Sequence, residues 1–172
     1  MVLGKDEKIL KGKSHKFGDD ISTDLIAPGR YFHLRSNMPE LAKHVLEDAS
    51  PDFAGKVGSG DFIVGGRNFG LGSSREHAPA IIKIAGVGAV LSKSFARIFF
   101  RNCINIGLPV IICDTDKIGD GDLLEIDLKN GLVRNISKSL NINFNPLPEV
   151  MIRILSDGGL VEHIKKNKGF NL

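Results

Sequence analysis

Short apolar runs cut by glycine constrain the fold of this chain more than any other feature of it. Glycine supplies 20 of its 172 residues, roughly 12% against a usual share near 7%. Many of these glycines stand between apolar runs, a pattern that favours short strands and tight turns. Residues 9–13 read as an opening strand. Leu41, Ala42, Val45 and Leu46 fall at helical spacing between Pro39 and Pro51, so 39–48 is expected to form a short amphipathic helix. A strand over 61–64 is stopped by Gly65 and Gly66. A helix is expected over 74–85, with Glu76 in its first turn and Pro79 near its start. Residues 89–91 read as a buried strand. Phe95, Ile98, Phe99 and Ile106 predict a second helix over 94–106 that leads into a strand over 109–113. Leu124, Ile126 and Leu128 alternate with Glu125 and Asp127, and Asn130-Gly131 then predicts a hairpin returning through 132–136. Helical pieces near 147–156 and 159–167, split by Gly158 and Gly159, close the chain. The expectation is a mixed α/β domain formed by residues 1–172 as one unit, not a strictly doubly wound sheet.

Charge and composition remove several function classes. Lys and Arg number 23 against 20 Asp and Glu, a net charge of +3 with no block of like sign. Trp is absent and Tyr31 is the single tyrosine, so no stacking platform for bases exists and no nucleic-acid partner is expected. The longest nearly apolar stretch, 80–91, is broken by Lys83 and falls short of the roughly 20 residues that span a bilayer. Residues 1–13 carry lysines but no apolar signal core. A soluble cytoplasmic chain with no membrane partner is the expectation. Cys103 and Cys113 belong to no Cys-x-x-Cys pair and read as buried, inert thiols, so no metal site is expected on this chain.

The chemistry concentrates in the segment from Gly65 to His77, a glycine-rich loop running from a strand into a helix start. Unpaired amides and the positive end of the helix dipole suit an anion there. A dinucleotide fingerprint would need glycine where Arg75 stands, a phosphate loop would need Gly-Lys-Ser or Gly-Lys-Thr, and a hydrolase elbow would need Gly-x-Ser-x-Gly. None is present. What remains is Ser73 and Ser74 followed by Arg75, an arrangement that favours a negatively charged ligand and eases ionisation of a serine hydroxyl. The same residues could equally cap the helix, with Glu76 assisting.

The run Phe69-Gly70-Leu71-Gly72-Ser73-Ser74-Arg75-Glu76-His77-Ala78, followed by Ser92-Lys93-Ser94-Phe95-Ala96-Arg97 and by 102–109, resembles the swivelling domain of the aconitase superfamily. The upstream stretch 20–31, with Asp20, Asp24, Arg30 and Tyr31, is similar to the N-terminal motif of the same domain. The resemblance covers about residues 8–165, and at this length it is to the short, archaeal-type small subunits of 3-isopropylmalate dehydratase and homoaconitase. It implies a swivelling β/β/α fold, a barrel-like mixed sheet flanked by helices. It implies hydro-lyase chemistry, isomerising isopropylmalate by dehydration and rehydration in leucine biosynthesis. It also implies an iron–sulfur large subunit as partner, which carries the 4Fe-4S cluster, with no cofactor on this chain. Isolated small subunits of this kind are also compatible with a homo-oligomer.

On that resemblance Ser73 is the catalytic base, as an alkoxide, with Gly72 beside it as a supporting residue. Ser74 and Arg75 hold a carboxylate of a malate-type di- or tricarboxylate substrate. Substrate choice is expected in the loop 28–36. There Phe32 and Leu34 favour an apolar substituent, while His33 and Arg35 could meet an extra carboxylate. Asp24 matches the motif carboxylate, and either orients groups at the domain interface or forms an Asx turn. His77, expected one turn into the helix, reads as a hydrogen-bonded supporting residue. Arg97 and Arg101 read as packing or interface residues. Homoaconitase or a dimethylmalate-type hydro-lyase are the alternative activities, and a dicarboxylate-binding module without chemistry is the alternative of a different class.

Overall fold

The computed structural model describes residues 9–73 and 75–169. Strand β1 (Ile9–Lys16) opens the chain, followed by α1 (Thr23–Ile26), a 3₁₀ segment over Gly29–Ser36, α2 (Met38–Ala42) and α3 (Phe53–Lys56). Then come β2 (Phe62–Val64), α4 (His77–Ile84), β3 (Ala89–Ser92), α5 (Arg97–Asn105) and β4 (Val110–Ile112). Strands β5 (Leu123–Asp127), β6 (Leu132–Asn135) and β7 (Leu140–Asn143) form a meander, and α6 (Glu149–Ser156) and α7 (Leu160–Asn167) finish the chain.

The seven strands make one mixed sheet in the order β4-β3-β2-β1-β5-β6-β7. Strands β1 to β4 run parallel, and β5 pairs antiparallel with β1. Side-chain alternation divides the interior in two. Ile63, Val90 and Val110 point into a core shared with the helices, with Ile81, Ile82, Phe99 and Cys103. Phe62, Val64, Leu91 and Ile111 point the other way, where they meet Leu124, Ile126, Val133 and Ile142. No α-helix residue is among the buried members of that second core. Strands from both ends of the order therefore seal it by curling the sheet on itself. Both faces of the central strands β2 and β3 are covered, which is why β2 is a continuous apolar run and β3 is apolar up to Ser92.

Several boundaries differ from the sequence expectation for local reasons. The helix expected over 39–48 stops at Ala42, and 43–49 continue as turns bonded three residues apart. Leu46 there has φ +56°, yet Leu41, Ala42, Val45 and Leu46 are all buried. The loop expected at 29–36 is a 3₁₀ segment, and β7 was not foreseen. The hairpin is as expected: Asp127 faces Leu132 across Asn130-Gly131, with Gly131 at φ +66°.

Candidate active site

The glycine-rich loop leaves the end of β2 and is bound on both sides. Gly66 and Gly70 donate backbone bonds to Gly18 and Ile21, at 2.9 and 2.7 Å, while Phe69 donates to Ser94 at 3.0 Å. Leu71 accepts from the Thr23 amide at 2.8 Å, and Thr23 Oγ1 donates to the Ser73 carbonyl at 3.2 Å. Next to Ser73 the path requires glycine at two points of positive φ. Gly70 lies at φ +80°, and a Cβ there would stand 2.1 Å from the Phe99 ring. Gly72 lies at φ +110°, with Thr23 Oγ1 3.1 Å from where a Cβ would be.

Two non-glycine residues in left-handed conformation flank this path, Asp20 and Asn68, both at φ 56°. Asn68 Nδ2 donates to Asp20 Oδ1 at 2.9 Å. This link and Thr23 were not singled out in the sequence. Their signal is nonlocal, because their partners lie about fifty positions away.

Ser73 is exposed at the end of the loop, and its Oγ accepts a hydrogen bond from Arg75 Nε at 3.0 Å. The rest of the guanidinium is tied down. Its NH1 donates to the Ala27 carbonyl at 3.0 Å, and its NH2 forms an ion pair with Asp24. A cation donating to a hydroxyl oxygen favours the ionised form of that hydroxyl. Ser74 lies outside the described residues. Helix α4 begins at His77, later than the expected 74, and Ser73 is not its cap: the N-cap, Glu76, makes no side-chain bond to the first turn. His77 is thus the first helical residue.

The 3₁₀ segment stands beside this loop. Phe32 is 47% exposed and meets the His77 ring edge-on at 6.0 Å. Arg35 is exposed, with its guanidinium 4.3 Å from the centre of the Phe32 ring. His77 is held below its ordinary pKa by burial, then by the cations of Arg75 and Arg35. The structure therefore brings Ser73, Arg75, Asp24, Gly72, His77, Phe32 and Arg35 together. Leu34 instead turns into the helical core, and His33 is exposed.

A second network fixes the segment from behind. Arg30 donates to Glu47 and Asp48 at 2.8 and 2.6 Å, the Tyr31 hydroxyl donates to Glu47 at 2.9 Å, and Tyr31 stacks on His44 at 3.7 Å. His44, silent in the sequence, lies 2.6 Å from Glu47.

The donor chemistry for a cluster is poor on this chain. Among the described residues no three His, Cys, Asp or Glu converge as a metal-ligand set. Burial pushes the Cys113 thiol up to about 12 and raises that of Cys103 as well, so neither is a ready thiolate. Among the described residues, no helix is long and apolar enough to cross a membrane.

A family model for the aconitase C-terminal domain matches residues 21–114. The chain is 67% identical to 3-isopropylmalate dehydratase small subunit 2 of Archaeoglobus fulgidus, over 91% of this chain and 94% of that one. It is 59% identical to 3-isopropylmalate dehydratase small subunit 1 of Thermotoga maritima, over 94% and 98%. A solved 3-isopropylmalate dehydratase structure from Methanocaldococcus jannaschii is similar, with TM-score 0.88, 49% identity and coverage of 93% and 95%. The curled mixed sheet flanked by helices, expected from the resemblance, is thus borne out.

Proposed function

This chain belongs to the family of 3-isopropylmalate dehydratase small subunits, built on the aconitase C-terminal domain, and from that membership we propose how its residues act. The chain is the small subunit of a hydro-lyase that interconverts 2-isopropylmalate and 3-isopropylmalate by dehydration and rehydration, in leucine biosynthesis. It works with a large subunit, in the cytoplasm, with residues 1–172 as one swivelling domain.

The observation that carries the mechanism is the bond from Arg75 Nε to Ser73 Oγ at 3.0 Å. Elimination of water from a malate-type acid removes a weakly acidic C–H proton beside a carboxylate, and the neighbouring carbon loses hydroxide. Ser73, ionised beside the Arg75 cation, takes that proton and becomes a neutral hydroxyl. In the reverse direction it returns the proton to the alkene. Asp24 and the Ala27 carbonyl aim Arg75 so that its Nε, rather than its fork, faces Ser73. Stabilising the serine oxyanion is therefore the first role of Arg75. Holding a substrate carboxylate requires that carboxylate to take the place of Asp24. Ser74 is assigned to the same carboxylate.

Departure of hydroxide is eased by an electrophile, and among the described residues no His, Cys, Asp or Glu set converges to hold a metal for it. We assign it to a 4Fe-4S cluster on the large subunit, which when bound supplies Lewis-acid chemistry. Phe32, at the mouth beside His77, is assigned to the isopropyl substituent, while Leu34 anchors the segment from below and His33 remains at the rim. The test is anaerobic reconstitution of this chain with its large subunit. Both isopropylmalates should interconvert when the two chains are combined, and neither with this chain alone. Turnover by this chain alone, or none by the assembled pair, overturns the reading.

One observation favours a second reading. Arg35 lies over Phe32 and close enough to His77 to lower its pKa, where it could meet the extra carboxylate of a homoaconitate-type substrate. Isopropylmalate turnover absent in the wild type and present in Arg35→Ala would favour this reading.

A further inference from the structure

Along α5 and α6 runs a groove of about 630 Å³ with a largely apolar wall. Phe95, Phe100 and Ile104 line one side, and Ile112, Met151 and Leu160 complete it. Ile112 is 53% exposed on β4, the strand that ends the sheet order, so the wall continues onto an open sheet edge. Exposed apolar surface of this kind, next to a strand edge left unpaired among the described residues, marks an interaction site. Arg97 and Arg101, one turn apart on α5, also line the groove, and neither has an ion-pair partner among the described residues. No carboxylate is among the described residues of the lining.

That charge selects the occupant. In a two-fold contact between copies of this chain the groove would meet itself. Arg97 and Arg101 would then approach their own counterparts with nothing in the groove to neutralise them. The occupant is a different chain whose apolar residues are flanked by carboxylates. One end of the groove also reaches the active-site loop, because Phe95 packs on Phe69 at 6.0 Å, in the run that leads to Ser73. A partner that closes over Ser73 is led onto this wall. We propose that the groove docks an apolar, carboxylate-bearing segment of the large subunit. This rests on the two-subunit reading above.

The test measures the Kd of the full chain for its large subunit at low and moderate salt. The variants are Arg97→Glu with Arg101→Glu, and the neutral pair Arg97→Gln with Arg101→Gln. Charge reversal should weaken association by roughly tenfold or more and flatten its salt dependence, with the neutral pair between. Circular dichroism and melting temperature should not change, and turnover should return at saturating large subunit. A wild-type Kd and salt slope in both variants overturns the groove assignment while leaving the two-subunit reading intact. No association of the wild-type chain overturns the two-subunit reading, and the groove with it. A wild-type homodimer that the neutral pair converts to monomers, with large-subunit binding unchanged, assigns the groove to a second copy and overturns the proposal.

Discussion

Ser73 and Arg75 are neighbours in sequence, yet the arginine is aimed by groups about fifty positions upstream. Asp24 and the Ala27 carbonyl together hold two of the guanidinium nitrogens and leave Nε for Ser73. A lysine cannot make those three contacts at once, because its single ammonium has no fixed fork. Ser73→Ala in the assembled enzyme is expected to cut kcat by about 10²–10⁴-fold or more without altering assembly, since it removes the base itself. Retention of wild-type kcat would return Ser73 to a loop-lining role. Arg75→Lys should lower kcat at least as strongly as it raises KM, the signature of an interaction made to the base and not only to bound substrate. A pure KM effect would mean that Arg75 serves the substrate carboxylate alone. His77 reports on the same corner. Because the Arg35 cation contributes to its lowered pKa, Arg35→Ala should raise the His77 pKa toward the ordinary histidine value. An NMR titration of that ring reads the shift directly, and no movement would place Arg35 away from the site.

At the scale of elements, the strand–loop–helix unit around Ser73 was legible because its signals are local. An apolar run, a cluster of glycines and a helix start follow one another within about twenty residues. The Asn130-Gly131 hairpin was legible for the same reason. Strand β7 was not, because Leu140–Asn143 reads Leu-Asn-Ile-Asn and becomes a strand only by pairing with β6. The turn after α2 was misread as helix because helical spacing of Leu41, Val45 and Leu46 reports burial, not backbone hydrogen bonding. The partners of Arg75 and Asn68 could not be found from local pattern at all. Loop glycines carry the clearest element-scale consequence. Gly70→Ala forces a left-handed alanine and drives its Cβ into Phe99, at 2.1 Å from the ring. Backbone strain and overpacking each cost about 1–3 kcal/mol. A clearly lower melting temperature and a weakened site are expected together. An unchanged melting temperature would show that the loop 67–73 is free to move away from α5.

Across the whole molecule, carboxylates held below their ordinary range tie distant segments together. Glu47 is lowered to about 2 by His44, then Arg30 and Tyr31, and so couples the 3₁₀ segment beside Ser73 to the turn that follows α2. Asp157 is held down by Lys166 and, against burial, by His163 at the α6–α7 junction. At Asp122 burial pushes the pKa up, but bonds from Asn135, the Gly119 amide and Lys138 outweigh it and the net direction is down. In each case the folded carboxyl is more acidic than the unfolded one, so unfolding takes up protons at low pH. The stabilisation is complete above the ordinary carboxylate range and is lost as pH falls through it toward the folded values, for Glu47 from about 4.5 down to about 2. Urea midpoints measured from pH 6 downward should therefore stay level and then decline through that window. Glu47→Gln removes one of the titrating groups, so its midpoint should start lower at pH 6 and fall less steeply. The lost contacts hold the segment that presents Phe32 and Arg35, so in the assembled enzyme this variant should raise KM more than it lowers kcat. A Glu47→Gln curve parallel to that of the wild type would mean that Glu47 is not part of the acid-sensitive tie, and the decline would then belong to the other lowered carboxylates, among them Asp157, Asp122 and Asp61.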